Sequence, residues 1–114
     1  MWHQGENDVV AGVTKDYYKD KFRTLINGFR SEFDNPKLPF IAGDMVENWS
    51  KTQDNYGNVI DAVKDVISEL NNCSLVSSKG LPANSKEDNI HFSGKSNEIF
   101  GERYFEAFKQ IKQR

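Results

Sequence analysis

The sequence has little cysteine, no long apolar run and no large excess of charge. Cys73 is the single cysteine and His3 and His91 are the two histidines, which excludes an internal disulfide and leaves no ligand set for structural zinc. The longest apolar stretch, residues 38–42, contains a proline and is too short to span a bilayer. The net charge is −2, so we expect no broad basic surface for nucleic acid. We therefore expect no metal, other cofactor, membrane or nucleic-acid partner.

What is present suits one small globular domain with amphipathic helices. The chain has 114 residues, of which 37% are apolar, enough for a single core. Apolar residues recur at three- and four-residue spacing over residues 15–33, which predicts a helix capped by Thr14. The same spacing predicts a second helix from Tyr56 to about residue 71, and a third that begins between residues 93 and 96.

Short apolar segments between these helices predict parallel strands. Residues 38–43 are apolar without alternation, which is typical of a strand covered on both faces, and residues 73–77 predict a second strand. Residues 1–3 look like the last residues of another strand. The order of helices and strands is that of an open α/β sheet with helical layers.

Two polar clusters are candidates for a functional site. The first, residues 2–8, lies at a predicted strand end, where ligands bind in such sheets, and contains Gln4, Gly5, Glu6 and Asn7 as candidate site residues. The alternative is a solvated loop between strand and helix. In the second, Asp88 lies three residues before His91, so its carboxylate can accept a hydrogen bond from Nδ1 and leave Nε2 as a base. The alternative is a surface pairing.

One aromatic residue, Trp49, lies in a polar connection between a predicted strand and a helix. Aromatic faces stack on sugar rings, so Trp49 is a candidate carbohydrate-binding residue. An aromatic residue in such a connection is also a common packing anchor.

Taken together, the motifs resemble those of the SGNH (GDSL-like) hydrolases. The sequence reads WHQGEND at positions 2–8, LPF at 38–40 with Gly43, DNIHFS at 88–93 and GERY at 101–104. Within that superfamily it is most similar to the sialate O-acetylesterases and acetylxylan esterases. The resemblance covers residues 1–114 as the C-terminal portion of one domain. It implies a three-layer α/β/α, flavodoxin-like sheet that is incomplete, with about three short parallel strands and three helices.

The resemblance also implies roles for the candidate residues. His91 would be the general base, and Asp88 would orient its imidazole. Gln4 would donate a hydrogen bond in the oxyanion hole, while Glu6 and Asn7 would orient that segment. The implied reaction is the hydrolysis of acetyl esters on carbohydrates, with no cofactor.

The sequence departs from the family pattern at the nucleophile. The family's serine follows its first strand in a Gly-Gln-Ser-Asn or Gly-Asp-Ser turn, and no serine of this sequence has that setting. We expect this chain to hold the acid-base half of an esterase site and to be inactive alone. It would be completed by a missing N-terminal half or a second chain that pairs with the first strand edge. One alternative is a non-catalytic carbohydrate-binding or strand-pairing α/β module. Another is self-association through that edge.

Overall fold

Over residues 1–112 the protein is a mixed α/β fold of five helices and a small parallel sheet. A computed structural model describes residues 1–112, and Gln113 and Arg114, the last residues of the predicted domain, lie outside the described part. The elements in chain order are α1 (Glu6–Ala11), α2 (Lys15–Glu32), β1 (Phe40–Gly43), α3 (Glu47–Ser50), α4 (Tyr56–Glu69), β2 (Cys73–Val76) and α5 (Gly94–Lys112). None of these helices is long and apolar enough to cross a bilayer.

The sheet contains two strands rather than the expected three. Strands β1 and β2 pair in parallel, with Phe40 opposite Cys73. The predicted first strand is reduced to one parallel bridge between Trp2 and Ala42. Trp2 N donates to the Ile41 carbonyl at 2.8 Å, and its own carbonyl accepts from the Gly43 amide at 2.9 Å. The pairing stops there because the chain turns at Gly5, whose φ is 144°, and enters α1.

Helices cover both faces of the sheet, as the continuous apolar pattern of β1 predicts. On one face, the Phe40 ring lies 5.7 Å from that of Phe22 in α2, and α2 packs along α4. On the other face, the backbone of Gly43 lies directly against Phe100 and Tyr104 of α5. The result is three layers, with β1 and β2 between the helices.

The three long helices form where predicted, and two short ones are additional. Thr14 caps α2 by accepting a hydrogen bond from the Tyr17 amide at 3.1 Å. The segment from Gln4 to Asn7 was expected to be a loop, but α1 begins at Glu6, and α3 occupies the predicted connection around Trp49. Helices of six and four residues are too short to establish a hydrophobic period in sequence.

The long segment between β2 and α5 has no helix or strand and is held by specific contacts. Arg103 of α5 donates from Nη1 to the carbonyls of Ser77 and Lys79, at 2.8 and 3.0 Å. Leu81 is buried in the core, and Ala83 forms an antiparallel bridge with Phe92. These contacts fix both ends of the turn that contains Asp88 and His91.

Candidate active site

The turn from Asn84 to His91 brings a carboxylate and an imidazole into direct contact. Its backbone closes through the Asn84 amide, which donates to the His91 carbonyl at 2.8 Å. Ser85 Oγ accepts from the Asp88 amide at 2.9 Å. His91 Nδ1 then lies 2.8 Å from Asp88 Oδ1, while 77% of the His91 side chain remains exposed. This contact holds the Nδ1 edge of the imidazole against Asp88 and leaves most of the ring exposed to solvent.

The electrostatics of this pair favour an ionised carboxylate. The hydrogen bond from His91 lowers the pKa of Asp88 below its ordinary value, and a second hydrogen bond from Asn84 Nδ2 at 3.2 Å acts in the same direction. An ionised carboxylate only accepts hydrogen bonds, so His91 carries its proton on Nδ1. Its Nε2 has no hydrogen-bond partner in residues 1–112 and can therefore act as a base.

We expect the pKa of Asp88 to report this contact directly. Since the folded-state pKa lies below the ordinary value of 3.8, the ionised carboxylate stabilises the turn above that pH. This contribution is lost as the pH falls through the lowered pKa. A carbon-detected NMR titration of the Asp88 carboxyl should give a midpoint below 3.8, and His91→Leu should raise it. An Asp88 midpoint that is the same in both proteins would contradict the contact.

A second group of side chains is positioned by the short segment from Trp2 into α1. The carbonyl of Trp2 accepts a hydrogen bond from the Tyr104 hydroxyl at 3.0 Å, which ties this segment to α5. Burial raises the pKa of Tyr104, so the hydroxyl stays a donor. Gly5 is buried next to Met45 and Val59, with a backbone conformation that favours glycine. These contacts fix the backbone on both sides of Gln4, and therefore the point from which its side chain extends.

The two groups meet in one cleft of about 550 Å³. Gln4, Glu6, Asn7 and His91 all line this cleft. Asp88 holds His91 without lining the cleft itself, and Gly5 is buried within the first segment. Four of the predicted site residues thus share a surface, although His91 lies more than 80 positions from the other three in sequence. The complete lining consists of His3, Gln4, Glu6, Asn7, Ile90, His91, Phe92 and Asn97.

His3 belongs to the first polar cluster of the sequence but was given no role there, and the structure places it as a second imidazole in the cleft. Its Nε2 lies 3.0 Å from the Asp44 carbonyl at the end of β1, and 3.7 Å from Glu6 Oε1. Its ring packs against those of Phe92 and Phe100, with centroids 5.5 and 5.7 Å away. His3 therefore links the first segment to the residue after His91. Its position within the same polar cluster was the available signal.

Asp44, which receives this contact, is itself held in place. The Tyr56 hydroxyl donates to Asp44 Oδ1 at 2.7 Å, and the Met45 amide donates to the same oxygen at 2.7 Å. Burial raises the pKa of Tyr56, and the carboxylate of Asp44 raises it further, so Tyr56 remains a donor. These hydrogen bonds hold Asp44 in the position at which its carbonyl contacts His3.

Trp49 is not brought to the cleft. It lies in α3 with 6% of its surface exposed, within the hydrophobic core, and offers no face on which a sugar ring could stack. Its placement corresponds to the packing alternative. No group of three or more metal-ligating side chains occurs in the described residues.

Comparison with known proteins gives one family. No curated protein matches the sequence significantly. A family model described as carbohydrate esterase, sialic acid-specific acetylesterase, matches residues 1–110, which include every residue that lines the cleft. Because the match extends over nearly the whole chain, and the resemblance of the WHQGEND and DNIHFS segments points the same way, this protein belongs to the sialic acid-specific acetylesterase family of carbohydrate esterases.

Proposed function

We propose that this chain supplies the acid-base and oxyanion half of a carbohydrate acetylesterase site of the SGNH type. In this proposal residues 1–114 are the C-terminal portion of one catalytic domain, and a serine from another segment is the nucleophile. The observation that carries the proposal is that His91, held by Asp88 at 2.8 Å, shares a cleft with Gln4. A base and an amide donor that line one cleft are two of the groups that acyl transfer requires.

In each half of the proposed reaction, His91 first accepts a proton and then returns it, and Gln4 stabilises the negative charge that forms. The serine hydroxyl gives its proton to His91 Nε2 as its oxygen attacks the acetyl carbonyl carbon. An N–H of Gln4 stabilises the negative charge on the carbonyl oxygen. The bond to the sugar oxygen breaks, and His91 returns the proton to that oxygen. Water then attacks the acetyl-serine by the same steps and releases acetate.

The serines near the cleft have structural contacts, which supports an external nucleophile. Ser85 Oγ accepts from the Asp88 amide, and Ser93 Oγ accepts from the Ser96 amide at the start of α5. Ser96 is 1% exposed, and no serine of the described residues lines the cleft. His91 Nε2 therefore has no hydroxyl to activate within this part of the chain.

The open edge of the sheet offers a pairing site for the segment that carries the nucleophilic serine. Beyond the Trp2 bridge lies a mostly apolar groove of about 460 Å³, at which Met1 is 91% and Phe105 58% exposed. A strand paired at this edge would cover the groove and end beside the cleft. This edge also favours the second candidate, a strand-pairing module that completes a site in another chain. The groove is lined by Met1, Leu38, Pro39, Ile41, Gly101, Tyr104, Phe105 and Phe108.

A serine-directed phosphonate probe tests the proposal on the chain itself. We expect no stoichiometric covalent labelling, and hydrolysis of p-nitrophenyl acetate no faster than a free imidazole supports. Labelling of one serine per chain would contradict an external nucleophile. The coding DNA upstream of Met1 distinguishes the two sources of that serine. An in-frame strand followed by Gly-Gln-Ser or Gly-Asp-Ser indicates a single domain, whereas its absence indicates completion by another chain.

A further inference from the structure

The amide of Gln4 is held at both ends by side chains from two helices. The Tyr18 hydroxyl of α2 donates to Gln4 Oε1 at 3.2 Å. Gln4 Nε2 donates to Asp8 Oδ2 of α1 at 2.8 Å. These hydrogen bonds join residues that are 14 and 4 positions from Gln4 in sequence.

The two partners together select one orientation of the amide. An ionised carboxylate can only accept, so Asp8 must face the NH₂ group, and the opposite orientation would put Gln4 Oε1 against a negative charge. Tyr18 is 5% exposed, and burial raises its pKa to about 12, with the nearby Asp8 carboxylate adding to the shift. Its hydroxyl therefore keeps its proton and faces the amide oxygen.

This orientation leaves one N–H of Gln4 available. An amide NH₂ has two N–H donors, and only one is used by Asp8. Gln4 makes no other side-chain hydrogen bond with residues 1–112, and it lines the same cleft as His91. If the amide were reversed, its oxygen would take the place of Nε2 beside Asp8. An oxygen would repel a developing oxyanion.

We propose that Tyr18 and Asp8 are positioning residues that orient the Gln4 amide so that its second N–H faces the reacting carbonyl oxygen. Both act through Gln4 and touch no substrate. The proposal rests on the proposed function for the role of Gln4. The orientation itself is a property of the free chain and can be measured without activity.

NMR of the ¹⁵N-labelled chain tests the orientation. In the natural sequence, the Gln4 side-chain amide should show one strongly shifted proton, bonded to the Asp8 carboxylate, and slow exchange with water. Tyr18→Phe keeps the ring stacked on Phe22, at 6.0 Å, and removes only the hydroxyl. We expect the Gln4 amide protons to exchange about tenfold faster in this variant, the effect of losing one hydrogen bond.

Asp8→Asn and Tyr17→Phe complete the test. Asn at position 8 can face either end of the amide, so the single shifted proton of Gln4 should be lost while the fold is kept. Tyr17 is adjacent to Tyr18 but 53% exposed, and its hydroxyl makes no hydrogen bond in the described residues, so Tyr17→Phe should leave the Gln4 signals unchanged. Gln4 signals that are unaffected by both Tyr18→Phe and Asp8→Asn would overturn the proposal.

A kinetic experiment on the complete esterase separates this proposal from the proposed function. There, Tyr18→Phe should lower kcat about tenfold with little change in KM, because an oxyanion donor acts mainly in the transition state. An unchanged kcat would overturn the positioning role. If Gln4→Leu also leaves kcat unchanged, the oxyanion role in the proposed function is wrong, whatever the NMR signals of Gln4 show.

Discussion

Replacing His91 with alanine is expected to lower acetyl-ester hydrolysis about 10⁴-fold in a protein that contains both this chain and the nucleophilic serine. The imidazole is the only group of the proposed site that both accepts the serine proton and returns it to the leaving sugar oxygen. The loss should appear in kcat, measured with an acetylated sugar, because substrate binding does not depend on proton transfer. An unaffected rate would remove His91 from the mechanism.

Asp88 and its neighbour Glu87 provide the matched pair for this experiment. Asp88→Asn keeps the shape of the side chain but removes the charge that holds the His91 tautomer, so kcat should fall by about 10³-fold. Glu87→Gln removes one negative charge from the adjacent, exposed position of the same turn. A comparable fall in both variants would indicate a general charge effect and contradict the specific contact between Asp88 and His91.

Gly43→Ala is expected to destabilise the fold by about 3 kcal/mol, the upper end of the range for overpacking. A Cβ at this position would overlap Tyr104 Oη and would lie 2.8 Å from Phe100 Cζ. Relief requires Tyr104 to move away, which breaks its hydrogen bond to the Trp2 carbonyl. The same substitution should therefore loosen the segment that carries Gln4. Urea unfolding measures the free energy, and amide exchange at His3 and Gln4 measures the loosening.

Gly28→Ala is the control for this substitution. Gly28 lies inside α2, and a Cβ there would meet no atom within 4 Å. Alanine at an exposed position within a helix should stabilise the protein by about 0.5–1 kcal/mol. Opposite signs for the two substitutions would show that the close approach of α5 to β1, and not the loss of glycine, causes the effect. Equal effects would contradict that account.

The sequence alone determined those features that depend on neighbours in the chain. The long helices α2, α4 and α5 have apolar residues at helical spacing, and Thr14 marks the start of one of them. The contact between Asp88 and His91 was also predictable, because three residues in a turn bring their side chains together. The parallel pairing of β1 and β2 followed from the alternation of helices and strands.

Only the tertiary structure decided which distant residues share a surface. Pairing of Trp2 with β1, and the packing of α5 over Gly43, bring Gln4 to the cleft that His91 lines. The burial of Trp49 and the two partners of the Gln4 amide likewise depend on contacts between separate elements. Periodicity specifies which face of a helix or strand is buried, but not which element covers it. The packing of the whole chain makes that choice, and with it determines the composition of the cleft.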